Sequence, residues 1–241
     1  MPRIAAIVPA YNEEESIASV VNELHSVSVQ NNLDIVIVVV NDCSNDSTWN
    51  LVLSLPCVAI NLPVNLGIGG AVQTGFKHAL QNGFDFAIQI DGDGQHPAEE
   101  LPKLILAQQR NGWNITIGSR FIDKTGFQSS TLRRTGINYF KHLIRLLVNV
   151  TITDSTSGFR MIDRKALQLV CDYYPDEYPE PEAIILYRKN NLSMGEVAVN
   201  MRQRQGGISS IGGRASIYYM FKVTLSILFT FIKTNSKKQA R

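Results

Sequence analysis

Short apolar, β-branched runs alternate with longer stretches of helical period through the first half of the chain, and this alternation limits the fold more than any single residue. Ile4 to Val8, Ile35 to Val40, Val58 to Ile60, Phe86 to Ile90 and Asn114 to Ile117 are apolar or β-branched runs, as strands covered on both faces require. Glu13 to Val27, Ser47 to Leu53, Gly69 to Gln81 and Ala98 to Arg110 read as helices between them. Strand, helix and strand in repetition predict an α/β chain built on a doubly wound, mostly parallel sheet. Ligands of such sheets bind outside the carboxyl ends of the strands. Chemistry is therefore expected just after each strand.

The second half is less regular. Thr131 to Val150 reads as a helix, Thr153 to Gly158 as a polar turn, and Pro175, Pro179 and Pro181 as marks of a loop. A strand over Gly195 to Asn200 leads to a loop rich in Gly and Arg, then to a C-terminal helix. The division expected is a catalytic domain over residues 1–213 with an appended helix and basic tail over 214–241.

Composition excludes several classes. A chain of 241 residues, 44% hydrophobic, can fill a core, so disorder is ruled out. Net charge of +2 and 8% aromatic residues argue against a nucleic-acid binder. Cys43, Cys57 and Cys171 lie far apart without CxxC spacing, which indicates neither a disulfide framework nor a zinc site and suits a reducing compartment. The run Ile4 to Val8 is too short for a secretory signal and soon meets Glu13, Glu14 and Glu15. A cytoplasmic location is expected.

The unusual residues do follow the strands. After the first come Pro9, Ala10, Tyr11, Asn12, Glu13 and Glu14, with Asn12 placed to cap the next helix and acids suited to its first turn. After the second, Asp42 could accept hydrogen bonds from a base or ribose, while Asp46 or Ser47 caps the helix that follows. Asn65, Leu66 and Gly67 open the third helix, but Gly67, Gly69 and Gly70 do not spell a dinucleotide loop. The sharpest element is Asp91-Gly92-Asp93-Gly94-Gln95-His96-Pro97. Two carboxylates so close repel each other unless a cation neutralises them. Hard oxygen donors favour Mg²⁺ or Mn²⁺, which also bridge to substrate phosphates. Gln95 could add a neutral oxygen, and His96 reads as a loop residue.

Taken in order, these segments resemble family 2 glycosyltransferases of the GT-A fold, in the branch of dolichol- and polyprenol-phosphate mannosyl- and glucosyltransferases. Gly118-Ser119-Arg120, Asp154 to Arg160 and Arg204 to Ser209 complete the matching set. The resemblance implies that Pro9, Tyr11, Asn12, Glu13, Asp42 and Gly67 hold the donor nucleotide. Asp91 would orient the donor, and Asp91, Asp93 and Gln95 would bind the Mg or Mn ion. Arg120, Arg133 or Arg134, and Arg204 would clamp an acceptor phosphate. One departure is Asn41-Asp42, where many relatives carry Asp-Asp.

The activity implied is inverting transfer of a hexose from a nucleotide sugar to a polyprenyl phosphate. A phosphate monoester is already ionised and needs no base, whereas a hydroxyl acceptor does. A second reading is therefore transfer to a hydroxyl of a lipid-linked saccharide in cell-surface polysaccharide synthesis. There Glu182, better placed by spacing than Glu180, would be the base. A third is a catalytically silent nucleotide-sugar-binding subunit of a membrane complex. Glu196 is expected to be structural.

Ile217 to Ile232 is apolar but contains Lys222 and falls short of the ~20 residues of a spanning helix. Lys222, Ser226, Thr230 and Lys233 draw a narrow polar stripe along it. The pattern suits a helix on a membrane surface or a membrane protein, with a homo-oligomer interface as the alternative. Charge is distributed to match: residues 1–200 hold 15 basic and 21 acidic groups, and residues 201–241 hold 8 basic groups and no acid. An acidic body with a basic, apolar end fits an enzyme peripheral to the inner face of the cell membrane.

Overall fold

The computed structural model describes residues 1–123, 131–176, 178–204 and 213–239. At its centre is β1 (Ile4–Ala10), buried at every position. Its alternate residues feed different cores: Ala5 and Ile7 join one apolar cluster, and Ile4, Ala6 and Val8 the other. That is the period of two expected of a strand covered on both faces.

The remaining strands are β2 (Ile35–Asn41), β3 (Val58–Asn61), β4 (Phe86–Gln89), β5 (Ile115–Ser119), β6 (Arg160–Asp163) and β7 (Met194–Ala198). They form one seven-stranded sheet in the order β3-β2-β1-β4-β6-β5-β7. Only β6 runs antiparallel to its neighbours, β4 and β5. On one face lie α1 (Ile17–Gln30), α2 (Thr48–Val52) and α4 (Leu101–Asn111), which follows a 3-10 turn at Ala98–Glu100. On the other lie α3 (Gly67–Gln81), α5 (Thr131–Val148), α6 (Arg164–Asp172), α7 (Pro179–Lys189) and α8 (Gly213–Gln239).

The strands named from sequence are all present, and the doubly wound, mostly parallel sheet is as expected. Several local expectations are corrected. Strand β6 and helix α6 follow the Thr153 to Gly158 turn in a stretch where no element was expected, and Asp163 caps α6 by accepting from the Ala166 N–H at 2.8 Å. Pro179 and Pro181 do not mark a loop but stand in the first turn of α7, where the missing N–H groups have no helical partner to lose. Helix α1 begins at Ile17, so Glu13 to Glu15 precede it, and Asn12 with φ +54° is not its cap. Asp46, by contrast, does accept from the Thr48 N–H at 2.9 Å.

Register sets the depth of the site. Ala10 of β1 pairs with Asn41 of β2, and Asn41 with Asn61 of β3, so these three strands end level. β4 stops opposite Ile7, leaving its loop recessed beside the end of β1. The chain reverses its winding between β1 and β4, the switch point where such sheets open a crevice.

Close packing of α3 on β1 requires Gly75: a Cβ there would lie 2.2 Å from Ile7 Cγ2. Gly75→Ala is expected to cost about 1–3 kcal/mol through overpacking. Thermal unfolding should then fall by roughly 2–4 °C per kcal/mol lost.

Candidate active site

The recessed β4 loop carries Asp91 and Asp93. A Cβ on Gly92 would meet the Pro9 carbonyl oxygen at 2.9 Å, so only glycine lets the two loops approach this closely. The Ser16 hydroxyl bonds the Gly92 carbonyl at 2.8 Å and holds the β1 and β4 loops together.

Asp93 is 3% exposed. Burial, and then the nearby Asp91 carboxylate, push its carboxyl above the usual range. Its Oδ1 accepts from the Gln95 N–H at 2.9 Å, and its Oδ2 pairs with Arg204 Nε at 2.9 Å. Asp91 is more open, and its N–H donates to His96 Nδ1 at 3.0 Å. A ring nitrogen accepting that bond leaves the proton on Nε2, which lies 3.6 Å from Asp91 Oδ2. His96 is buried, stacks on Phe159 with ring centroids 5.0 Å apart, and is driven by burial down to about 4, hence neutral. Sequence reasoning passed over this residue as part of a loop, since nothing local to it announces its burial under Phe159.

The neighbouring loops interlock. Asn12 Oδ1 accepts from the Asn45 N–H at 2.8 Å, and its own N–H donates to Ser44 Oγ at 3.0 Å. Asn12 thus clamps the β1 loop to the β2 loop. Asp42 Oδ1 accepts from the Leu66 N–H at 2.7 Å, which ties the β2 loop to the start of α3, and burial raises its carboxyl. Gly67, at φ +75°, turns the chain there. Asn41 faces β3 instead, donating to Asn61 Oδ1 at 2.6 Å. Tyr11 is exposed at the rim. Glu13 sits between the loops, its carboxyl raised to about 7, mainly by burial.

Of the cationic group inferred from the resemblance, Arg120 lies within electrostatic range of Asp91, and Arg204 pairs with Asp93. Arg120, 5% exposed, is held by Asp154 through two bonds of 2.7 Å. Asp154 is positioned in turn by Glu196, whose carboxylate accepts from the N–H groups of Thr153 and Asp154. Glu196 is structural, as expected. Arg204 reaches Asp93, while Arg134 is exposed on α5. The side chain of Arg133 lies outside the described residues.

Glu182 also departs from its expected place. Its Oε1 accepts from Tyr173 OH at 3.0 Å and from Thr230 Oγ1 of α8, which turns it away from the β4 loop. Glu180, two residues earlier, is the carboxylate beside the site. It lies within electrostatic range of Asp91, and its Oε1 is 3.5 Å from Gln89 Nε2. Burial raises its carboxyl, and Arg160 opposes that rise.

The donor set suits a divalent cation. Asp91, Asp93 and Gln95 are hard oxygen donors, and burial and then the Asp91 carboxylate raise the proton affinity of Asp93, a cost that a cation would relieve. Among the described residues no group of three or more His, Cys, Asp or Glu side chains could hold a metal. Two carboxylates and an amide would leave positions for diphosphate oxygens.

His96 gives the site a pH signature. Its proton affinity is depressed from 6.5 to about 4 in the fold, so the unfolded chain binds a proton that the folded one refuses. The part of the stability that His96 controls is expected to be full above 6.5 and to fall as pH drops from 6.5 through 4, whereas Glu13, raised to about 7, acts in the opposite direction. Denaturant melts across that range should show His96→Asn without the His96 part of that pH dependence.

The glycosyl transferase family 2 model matches residues 5–170. A UDP-N-acetylglucosamine–dolichyl-phosphate N-acetylglucosaminyltransferase of Methanococcus voltae is 32% identical over 216 residues, covering 81% of this chain and 84% of that protein. A polyprenol monophosphomannose synthase of Mycolicibacterium smegmatis is 29% identical, covering 92% and 85%. Among solved structures, a mannosyl-3-phosphoglycerate synthase from Rubrobacter xylanophilus superposes with TM-score 0.74 at 16% identity, covering all of this chain and 76% of that one. A glucosyl-3-phosphoglycerate synthase from Mycobacterium tuberculosis, in complex with Mn²⁺ and UDP, superposes with TM-score 0.72 at 16% identity, covering 97% and 80%. Fold, strand-end loops and sequence agree: the chain belongs to glycosyl transferase family 2 and is a glycosyltransferase.

Proposed function

We propose that this glycosyltransferase moves a hexose, with inversion, from a nucleotide sugar to a polyprenyl phosphate at the cytoplasmic face of the membrane. The observation that carries the reading is the Asp91–Asp93 pair in the switch-point crevice, faced by Arg204 from the loop after β7. The names of the two relatives above support the lipid phosphate acceptor.

Asp42, Glu13 and Tyr11 border the place of the nucleotide, and Gly67 lets the chain pass close to it. Mg²⁺ or Mn²⁺ on Asp91, Asp93 and Gln95 would supply charge neutralisation for the leaving diphosphate. The chain's own part is placement. His96 fixes the Asp91 backbone, and Arg204 stands within reach of both the metal-binding carboxylate and an incoming phosphate. A phosphate oxygen of the acceptor attacks the anomeric carbon, forming one C–O bond as the bond to the nucleoside diphosphate breaks. That oxygen is already ionised, so no base is required. Transfer to a saccharide hydroxyl would need one, and Glu182 is engaged with Tyr173 and Thr230 instead.

Helix α8 supports a peripheral membrane location, with one correction to the expected geometry. The polar stripe of Lys222, Ser226, Thr230 and Lys233 does not form the outer surface, because Thr230 is buried against Glu182. The outward side is apolar: Tyr218, Phe221, Leu225, Phe229 and Ile232, at steps of three, four, four and three, are all exposed. Among the described residues no helix is long and apolar enough to cross a membrane.

Asp93→Asn is expected to lower kcat at least about a hundredfold. Chelator should silence the wild type, with activity restored by Mn²⁺ or Mg²⁺; undiminished turnover in chelator sinks the metal role. Co-sedimentation with anionic vesicles checks the surface: Phe221→Ser is expected to weaken it about tenfold or more, the worth of one buried aromatic ring.

A further inference from the structure

Arg204 occupies a carboxylate that the reading above gives to the metal. Its Nε lies 2.9 Å from Asp93 Oδ2, and Asp93 Oδ1 already accepts from the Gln95 N–H at 2.9 Å. Both oxygens of this residue, itself 3% exposed, are therefore engaged by the protein's own groups. A guanidinium carries donors only and cannot serve as a metal ligand. Held at hydrogen-bond distance from the same oxygen as a divalent ion, it would stand against like charge with almost no water to screen the two. Arg204 and the ion thus compete for Asp93.

Arg204 also acts as a counter-ion for the recess. Asp91 raises the proton affinity of both Glu13 and Asp93, and Arg204 lowers it for both. Of the pair, Arg204 is the partner with room to leave, its side chain being 33% exposed against 4% for that of Asp93. Two residues earlier the chain is pinned. The Arg202 N–H donates to the Gln95 carbonyl at 3.0 Å, and its guanidinium bonds Glu23 of α1 at 2.9 Å and Glu99 of the 3-10 turn at 2.8 Å. Met201 beside it is buried in the core. Arg204 can therefore quit Asp93 by changing the rotamer of its own long stem, while the backbone before it stays tied to the metal-side loop.

We propose that Arg204 is a stand-in cation, paired with Asp93 until a divalent ion binds and then displaced from it, which turns the guanidinium toward an incoming phosphate. The claim rests on the metal reading above and adds an exchange to it. Metal binding and the Arg204–Asp93 pair oppose each other, and by linkage each weakens the other by the same factor.

The test is Mn²⁺ binding to the full chain without nucleotide, read from the electron paramagnetic resonance of unbound Mn²⁺. Arg204→Gln, which keeps a polar side chain and removes the charge, should bind Mn²⁺ about tenfold more tightly than wild type, or ~1.4 kcal/mol. A second measurement needs no variant and decides the matter if that one does not fold. Modification of wild-type Arg204 by phenylglyoxal, followed by peptide mass spectrometry, should quicken severalfold when Mn²⁺ is added. Arg202, tied to two carboxylates outside the exchange, is the internal control and should keep its rate. Unchanged or weaker Mn²⁺ binding by Arg204→Gln overturns the exchange, as does an Arg204 reactivity that saturating Mn²⁺ leaves unchanged or lowers. Absence of Mn²⁺ binding from wild type and variant alike instead refutes the metal reading, and the exchange falls with it.

Discussion

Two carboxylates one residue apart cannot both ionise in a nearly buried place without positive charge nearby, and much of this structure is arranged around that cost at Asp91 and Asp93. Burial and mutual repulsion already raise Asp93. Arg204 arrives from the far side of the sheet to pair with it, and a neutral His96 anchors the backbone of Asp91 without adding charge. The recess itself follows from register, with β4 ending opposite Ile7 while β1 and β2 run on. A site that holds negative charge under tension is suited to a divalent cation carrying a diphosphate.

A second ion pair, between Arg120 and Asp154, organises the loops after β5 and before β6. Arg120 and Asp154 are both nearly inaccessible and doubly bonded, and Glu196 holds the backbone around Asp154. Breaking such a pair leaves a buried charge unpaired, at a cost of about 3–5 kcal/mol. Arg120 is thus a framework residue of the fold. Antiparallel β6 makes the arrangement possible, because it begins where β4 and β5 end and brings Asp154 to Phe159 to the same edge of the sheet.

The strand ends, the acidic element and the family were legible because each is local: a β-branched run, a turn, a carboxylate one or two residues on. Asn12, Asp42 and Gly67 stand in the loops where the residues themselves placed them. Less was legible beyond Ser119. Strand β6 is only four residues long, and α7 opens with prolines that signal a break when taken alone. His96 could not be read because its burial depends on Phe159, 63 residues away along the chain.

By itself, then, the sequence determined a doubly wound α/β sheet with its polar and acidic groups just after its strands, since period and composition act over a few residues at a time. Tertiary structure decided which of two nearby acids meets the crevice: two helical steps turn a side chain by roughly 200°, so Glu180 points toward Asp91 and Glu182 toward α8. It also decided which side of α8 is outside. A helix's own pattern shows that its faces differ, but only the partner it packs against selects the one that is buried.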